Sequence, residues 1–354
     1  MKGYEKTGAP CSCCAPTARE EVTPETGEAG GIPEIRTTTG EITFANRFDH
    51  FLARWGVNRM GHIVGPGLYR LGNPTPESEV FVSANYSLSF DALRSALSGR
   101  DAWILVLDTK GINVWCAAGK GTFGTDELVR RIASTGLANI VTHRRLILPQ
   151  LSAPGVSWPD VVRRSGFLVE YAPIRAADLP EYLGTRKATP AMRKVEFPLR
   201  DRAVLVPVEL VTAFPFMLVP AVALLFLGFP LLAADVVIAV LSGTILFPLL
   251  LPWLPTKDFS TKGLILGFLV MIPSAMVEAG TLAPVQAAAA AATLLFFPPV
   301  TAYLALNFTG STPFTSRTGV KKEIFRYVPV MAAFVVLGVI VAAIGGILHA
   351  LGVI

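Results

Sequence analysis

Charged side chains are scarce in the C-terminal part of this 354-residue chain. Residues 203–354 contain six of its 31 Lys and Arg residues and five of its 26 Asp and Glu residues; the other 25 and 21 lie in residues 1–202. A soluble domain of about 150 residues needs far more surface charge than this. The distribution therefore predicts a soluble part followed by a membrane domain.

Cysteine is also scarce. The chain has four cysteines: Cys11, Cys13 and Cys14 are close together near the N-terminus, and Cys116 stands alone. This number and spacing do not make a disulfide framework, which favours a reducing compartment. The N-terminus lacks the apolar core of a signal peptide. No stripe of Lys and Arg with interleaved aromatics is present, so a nucleic-acid partner is not expected.

Residues 42–183 alternate between apolar runs and helical patterns, which predicts a parallel sheet covered by helices. The expected strands are 80–83, 103–108, 146–148 and 167–171. The expected helices are 89–97, 125–133 with Thr125 as N-cap, 158–164 and 176–183. The predicted organisation is a flexible tail over 1–40, an α/β domain over 41–185, a basic linker over 186–205 and an all-α transmembrane domain over 206–354.

Five hydrophobic runs lie in this last part, each near the ~20 residues that cross a bilayer as a helix. They are 208–229, 231–252, 263–280, 283–305 and 328–351. Their basic loops fall on the side of the soluble domain. The positive-inside rule therefore predicts a multi-pass protein of the cytoplasmic membrane, with its soluble domain in the cytoplasm and its C-terminus outside. Glu209, Asp235 and Glu278 are near predicted span ends, which favours interfacial positions over an ion path.

The segment around Cys116 predicts a reactive sulfur. Asn113 suits an N-cap and Gly119 a stop, so Cys116 falls in the first turn of a short helix. A helix N-terminus favours a thiolate, and the carboxyl end of the preceding strand is where open α/β sheets bind ligands. The alternative is a structural cysteine in the core.

Three further groups of residues are candidates for binding a ligand or a metal ion. Small side chains at Ala117, Ala118 and Gly119 leave room for a large flat ligand. Asp108 and Thr109 could hydrogen-bond that ligand or cap the following turn. The three cysteines of the tail could bind a soft metal ion such as Hg(II), or be exposed thiols.

The run Asn113-Val-Trp-Cys-Ala-Ala-Gly-Lys120 resembles the signature of the membrane corrinoid proteins of microbial mercury methylation (the HgcA family). The runs 84–91 and 102–109, and the layout of a soluble head followed by five spans, resemble that family too. The resemblance covers about residues 42–354. It implies a Rossmann-like corrinoid-binding domain, related to that of the corrinoid iron–sulfur protein of the acetyl-CoA pathway.

The resemblance also implies a site and a cofactor. Cys116 would lie under the corrin ring of a cobalamin-type corrinoid and ligate its cobalt, on a cap helix. The residues expected to contact the corrinoid are Asp108, Thr109, Asn113, Val114, Trp115, Cys116, Ala117, Ala118, Gly119 and Lys120. The common alternative motif, Asp-x-His-x-x-Gly, is not formed around His50, His62, His143 or His349. A sulfur ligand, or no protein ligand, is therefore expected.

The implied activity is that of a corrinoid-dependent methyltransferase that passes a methyl group to Hg(II) and forms methylmercury. A Cys116 thiolate below the cobalt would push electron density towards the methyl group. The implied partners are a ferredoxin-like iron–sulfur protein as electron donor, a methyl-folate-linked donor protein and membrane lipid. Two alternatives stay open: a corrinoid methyl carrier of one-carbon metabolism, and a membrane transporter with a cytoplasmic regulatory domain.

Overall fold

The soluble part is built on one six-stranded sheet. In the computed structural model, which describes residues 34–280, 283–312 and 317–353, the strands are β1 (Ile35–Thr38), β2 (Gly67–Leu71), β3 (Val80–Ala84), β4 (Ala102–Leu107), β5 (Arg145–Leu148) and β6 (Leu168–Tyr171). The helices of this part are α1 (Phe44–Arg54), α2 (Ser87–Ala96), α3 (Val114–Lys120), α4 (Thr125–Ser134), α5 (Leu137–Ile140), α6 (Trp158–Ser165) and α7 (Leu179–Thr185).

The strand order is β1-β2-β4-β3-β5-β6. All neighbouring pairs are parallel except β2 and β4, which are antiparallel. The four strands that the sequence predicted, β3 to β6, are parallel to one another as expected, and the unpredicted β2 makes the sheet mixed. A strand on the outer part of an α/β sheet can join antiparallel without a crossover helix, and mixed sheets of this kind are common. The four strands β4-β3-β5-β6 have the order 2-1-3-4 of a doubly wound sheet, which changes direction between β3 and β5.

Side chains of the central strand β4 alternate between two hydrophobic layers. Leu105 and Leu107 pack in the layer that α3, α4 and α6 cover. Ile104 and Val106 pack in the layer that α2 and α7 cover. Alternation of this kind follows from the two-residue period of a strand. The mixed α/β sheet with helices on both faces agrees loosely with the Rossmann-like fold that was expected.

Strand β1 corrects the predicted boundary of the tail. Residues 35–38 were assigned to the flexible segment 1–40, but they pair with β2 from Ile35↔Leu68 to Thr38↔Leu71. β1 is short and no residue in it is fully buried. Its sequence therefore has no run of apolar residues that would predict a strand. The tail up to residue 33, with Cys11, Cys13 and Cys14, lies outside the described residues.

The C-terminal part is helical. It contains α8 (Leu199–Ala203), α9 (Val206–Phe226), α10 (Pro230–Leu241), α11 (Phe247–Leu250), α12 (Phe259–Ala279), α13 (Pro284–Asn307) and α14 (Arg317–Ala350). Five helical segments of the described chain are long and apolar enough to cross a membrane: Leu199–Phe226, Pro230–Leu250, Phe259–Ala279, Pro284–Gly310 and Thr318–Ala350. They coincide with the five predicted runs, which agrees with a multi-pass membrane protein.

One acidic residue of these helices is buried inside the bundle. Asp235 is near the start of its span, as the sequence indicates, and it is completely buried among the helices. Neither carboxylate oxygen makes a hydrogen bond of normal geometry, although the hydroxyl of Ser274 approaches it. Asp235 lies five positions after the start of α10, and its side chain faces the interior of the bundle. The burial of a side chain depends on the rotation of its helix as well as on its distance from the helix end.

The linker packs against one end of the helical bundle. The Arg202 guanidinium donates hydrogen bonds to the carbonyl oxygens of Pro248 (3.0 Å) and Leu249 (2.6 Å). The ring of Phe197 stacks on Phe308 with 6.3 Å between centroids. The segments that follow the second and fourth apolar helices therefore lie at the same end as the soluble domain, as the predicted topology requires.

Candidate functional site

Helix α3 begins as the sequence predicted. Asn113 is its N-cap, and its side-chain oxygen accepts a hydrogen bond of 2.9 Å from the backbone N–H of Cys116. The predicted stop at Gly119 was wrong, because the helix continues through Lys120 and ends at Gly121, whose φ of 86° is left-handed. A glycine ends a helix only where the chain needs this conformation, and Gly121 is the residue that adopts it.

The loop before α3 is held by a residue that the site prediction did not include. The Asn85 side-chain oxygen accepts hydrogen bonds from the backbone N–H groups of Thr109 and Gly111, both at 3.0 Å. Asn85 is buried at the end of β3. An amide directly after a buried strand was the available signal, since a buried polar group needs partners. Asn85 thus fixes the path of the chain from β4 to Cys116.

Asp108 and Thr109 have structural partners. Thr109 is completely buried, and its hydroxyl lies 2.8 Å from the Asn85 oxygen and 2.7 Å from the carbonyl oxygen of Ile112. Asp108 accepts from the backbone N–H (3.1 Å) and the ammonium (2.7 Å) of Lys110. The alternative, in which these residues order the turn, is the one that the geometry favours. A buried Thr109 hydroxyl is not accessible to a ligand.

The side chains of α3 point in two directions. Ala117 and Ala118 are buried in the hydrophobic core. Asn113, Gly119 and Lys120 are exposed, and Cys116 is half-buried. The interpretation that Ala117 and Ala118 make room for a ligand is therefore wrong. The α3 backbone also packs closely against position 155, where an added Cβ would lie only 2.9 Å from the Ala118 Cα. On the outer side, a Cβ at Gly119 would meet nothing within 4 Å.

The thiol of Cys116 is a weaker acid than the sequence suggested. Burial raises its pKa, and the Asn113 side chain and the positive charges of Lys120 and Arg59 offset this effect only in part. Burial is the largest influence on this pKa, and it opposes the thiolate that the helix N-terminus was expected to favour. Binding of a metal ion would remove the proton.

A cavity of about 360 Å³ lies at the carboxyl ends of β3 and β5. Val114 and Trp115 of α3 line one side of it, and Ser83 and Pro149 mark the ends of the two strands. This is the point where the strand order changes direction, and open α/β sheets bind their ligands at such points. The walls are mostly apolar and a few polar groups converge on it, as is usual for small-molecule sites.

Within the described part of the chain, no three His, Cys, Asp or Glu residues come together as a metal site. Cys116 is the one cysteine of this part and has no disulfide partner there. The prediction that Cys11, Cys13 and Cys14 bind Hg(II) concerns residues outside the described ranges.

Residues 58–157 match the family model described as the CO dehydrogenase/acetyl-CoA synthase delta subunit. This stretch runs from just before β2 to just before α6, so it includes α3 with Cys116, the Asn85 hydrogen bonds and much of the cavity. The match supports the corrinoid cofactor expected for this domain.

Curated relatives give a consistent result. The gamma subunit of the acetyl-CoA decarbonylase/synthase complex of Methanopyrus kandleri is 33% identical over 122 residues, which are 34% of this chain and 26% of the relative. The gamma subunit of Methanocaldococcus jannaschii is 36% identical over 97 residues (27% and 20%). That of Methanothermobacter thermautotrophicus is 29% identical over 169 residues (42% and 36%).

The chain spans about a quarter of the length of the first of these relatives. The similarity therefore concerns one domain of larger proteins. The soluble part of this chain therefore contains a region, residues 58–157, that is homologous to the delta-subunit family, and it also shares homology with gamma subunits of acetyl-CoA decarbonylase/synthase complexes.

Proposed function

We propose that this protein is a membrane-attached corrinoid protein that takes up and passes on a methyl group. The observation that carries the proposal is the position of Cys116 on the accessible side of α3, next to residues that line the cavity at the β3–β5 switch point. The homology of residues 58–157 supports the same cofactor class.

The residues present fit a corrinoid. The outer side of α3 is open at Gly119 and Gly121, where a Cβ would meet nothing within 4 Å, so a planar macrocycle could approach the helix closely. A cavity of about 360 Å³ is too small for the whole ring system but has room for one of its side arms. When bound, the corrinoid supplies a cobalt centre that can accept and release a methyl group.

Each residue of the site has a separate task in this proposal. Asn113 holds the first turn of α3 through the backbone N–H of Cys116. Cys116 would hold the cobalt through its deprotonated, electron-rich sulfur. The charges of Lys120 and Arg59 favour the deprotonated sulfur. Val114 and Trp115 line the cavity and would pack against a corrinoid side arm bound there.

Two methyl acceptors are candidates, and a specific observation favours each. The run Asn113–Lys120 around Cys116 resembles the mercury-methylation family and favours Hg(II) as the substrate, with methylmercury as the product. A sulfur donor strengthens the transfer of the methyl group to an electron-poor metal ion. The homology to acetyl-CoA complex subunits favours the other candidate. In that case this protein is a methyl carrier of one-carbon metabolism, and the acceptor is a protein of acetyl-CoA synthesis.

The partners and the location follow from the same proposal. A ferredoxin-like iron–sulfur protein supplies electrons, and a methyl-folate-linked protein supplies methyl groups. The soluble domain faces the cytoplasm and the C-terminus lies outside, because the basic loops lie at the end of the bundle that carries the soluble domain. Other protein partners of the acetyl-CoA type would belong to the one-carbon alternative.

The decisive experiment uses the full chain purified in detergent. Its absorption spectrum after incubation with a corrinoid tests cofactor binding. The methyl-loaded protein is then offered Hg(II) or a methyl-accepting protein of acetyl-CoA synthesis in separate reactions. Methylmercury formation that depends on Cys116 supports the first acceptor. Transfer to the protein acceptor alone supports the second, and a chain that binds no corrinoid excludes both.

A further inference from the structure

Helix α1 carries its apolar side chains on the outside. Phe44, Phe48, Phe51 and Trp55 follow each other at helical spacing and are 83%, 52%, 52% and 38% exposed. Their rings form a continuous row, with 6.4, 6.4 and 5.8 Å between successive centroids. No residue of α1 is fully buried. We call these four side chains the aromatic row.

The polar side of α1 faces the soluble domain instead. His50 lies 2.8 Å from the carboxylate of buried Asp91. The Asp49 carboxylate accepts a 2.6 Å hydrogen bond from the Ser87 hydroxyl and lies 2.7 Å from the ring of His62. Positions 49 and 50 are on the side of the helix opposite to the row. The helix is therefore held with its aromatic side turned away from the protein.

A second contact holds the start of α1 in the same orientation. The guanidinium of buried Arg94 donates to the Asn46 side chain at 3.0 Å and to the carbonyl oxygens of Thr39 and Glu41 at 2.6 and 2.5 Å. Arg94 also pairs with Asp91 at 2.6 Å. These hydrogen bonds connect the segment before α1, and the first turn of α1, to α2. The fold therefore fixes the outward direction of the aromatic row.

The end of α1 reaches the first apolar span. A Cβ at Gly56 would lie 3.6 Å from Cγ2 of Val208, in the first turn of α9. Burial lowers the pKa of Arg54, and Arg200 and Asp201 of the linker helix α8 are among the charges that act on it. The aromatic row thus continues from the place where the chain enters the span Leu199–Phe226.

These observations identify one kind of partner. An exposed apolar stripe on an amphipathic helix is typical of a helix that lies in a membrane interface, and Trp and other aromatic residues are enriched at that depth. Arg47, on α1 one position before Phe48, is exposed and suits anionic lipid headgroups. If the apolar helices cross a bilayer, the surface of that bilayer lies at this end of α9, next to the aromatic row.

We propose that α1 lies on the bilayer that the spans cross, with the aromatic row inserted between lipid headgroups. The inference rests on the membrane placement in the proposed function, but not on the cofactor or on the methyl acceptor. Its consequence is that the soluble domain is fixed to the membrane at two places, the linker and α1, and so keeps a constant orientation towards the bilayer.

The test uses the full chain in lipid nanodiscs of phosphatidylcholine and phosphatidylglycerol that contain nitroxide-labelled lipid. A small fluorescent amino acid replaces Phe48 in one variant and Trp158 in the control. Trp158 is 55% exposed, close to the 52% of Phe48, but it starts α6, which packs on α4. Protease protection of the spans is measured in the same samples to establish that they are inserted.

We expect the lipid nitroxide to quench the label at position 48 at least about twofold more than the label at position 158, as for a side chain ~5–10 Å into the interface. Iodide in the water should quench it correspondingly less. Equal quenching at the two positions, with inserted spans, would overturn the proposal. A label at position 48 that neither iodide nor lipid reaches would also overturn it, and would show a protein or second copy on the row.

A combined variant, Phe44→Ser with Phe51→Ser, provides an independent readout. It keeps Asp49, His50 and Asn46, so the attachment to the domain is preserved. We expect loss of the lipid quenching at position 48 and unchanged corrinoid binding. A failure of the proposed methyl transfer would leave these quenching results unaffected. Uninserted spans would instead contradict the membrane placement and the α1 proposal together.

Discussion

Asn85 and Thr109 are joined by two contacts, because the Asn85 side-chain oxygen lies 3.0 Å from the backbone nitrogen and 2.8 Å from the hydroxyl of Thr109. The same oxygen accepts from the N–H of Gly111. A single amide on β3 therefore determines how the chain leaves β4 and enters α3. The position of Cys116 depends on a residue 31 positions earlier in the chain.

Replacement of Asn85 tests this dependence. We expect Asn85→Ala to lower the free energy of unfolding by about 2–3 kcal/mol, because it leaves two buried N–H groups without their acceptor. Thermal unfolding of the full chain in detergent, followed by circular dichroism, measures the loss. Alkylation of Cys116 should become faster, since its loop is no longer held. The control is Asn73→Ala at an exposed turn, and an equal effect there would contradict the role of Asn85.

Removal of the sulfur tests its role as a ligand. We expect Cys116→Ala to abolish methyl transfer while the unfolding midpoint stays nearly unchanged, because a half-buried side chain loses at most about 1 kcal/mol. Methyl transfer in the reconstituted assay and the corrinoid spectrum are measured together. The matched control replaces Cys11, Cys13 and Cys14 by alanine and keeps Cys116. Full activity of Cys116→Ala would exclude the sulfur as a ligand.

The cavity can be filled without disturbance of the core. Ala92 on α2 lines it and is exposed, so Ala92→Trp should occupy the space and lower corrinoid affinity at least about tenfold, which corresponds to ~1.4 kcal/mol. Equilibrium titration with the corrinoid measures the change. Ala138→Trp, at an exposed position of α5, is the control. An unchanged affinity for Ala92→Trp would show that the cofactor does not use this cavity.

The pair of His62 and Asp49 predicts a pH-dependent stability. Burial lowers the pKa of His62, but the hydrogen bonds to Asp49 and the Val57 carbonyl outweigh it, so the net pKa is raised. The contribution of His62 to the free energy of unfolding is present below about pH 6.5 and is lost as the pH rises through the raised pKa of His62. Burial raises the pKa of Asp49, but bonds from Ser87 and His62 lower it overall, so its contribution is lost only in more acidic solution.

We therefore expect the unfolding midpoint of the full chain to fall as the pH is raised from 6 to 9, partly because of this pair. His62→Gln should reduce the slope over this range. His143→Gln is the control, because the Nδ1 of His143 accepts a hydrogen bond from the backbone N–H of Arg145 and the residue has no carboxylate pair among the described ion pairs. The same slope in wild type and His62→Gln would contradict the assignment.

The burial of the Asp235 carboxylate predicts that its replacement stabilises the protein. A buried carboxylate without a hydrogen bond of normal geometry is costly, and Asn keeps its shape without the charge. We expect Asp235→Asn to raise the unfolding midpoint of the full chain by a few degrees, at ~2–4 °C per kcal/mol. Asp126→Asn, on the exposed surface next to Arg164, should change it little. A lower midpoint for Asp235→Asn would show that the carboxylate is bound to something that stabilises it.

Local rules predicted the centre of the site well and its surroundings less well. Asn113 as N-cap and Cys116 in the first turn follow from short-range hydrogen bonding, and the structure has both. The end of α3 at Gly121, and the N-cap of α4 at Gly124 instead of the predicted Thr125, depend on backbone conformation. Residue type alone does not determine which of several nearby glycines adopts a positive φ.

Tertiary contacts explain the remaining differences. Strand β2 was not predicted, because Gly67-Leu-Tyr-Arg-Leu71 is short and gains its stability from β4 and β1. Helix α1 was not predicted either, since its helical pattern does not face the core. The inward direction of Ala117, Ala118 and Asp235 depends on how each helix is rotated against its neighbours. Sequence periodicity gives this rotation only when the apolar side is the buried one.

The close approach of α3 to the loop at Gly155 limits how the site can vary. Backbone atoms of Ala118 and Phe123 already surround the place that a side chain at position 155 would need, so the helix cannot move deeper into the domain. The height of the Cys116 sulfur above the sheet is thus determined by main-chain contact. A side chain at position 155 would therefore displace α3 and, with it, the Cys116 sulfur.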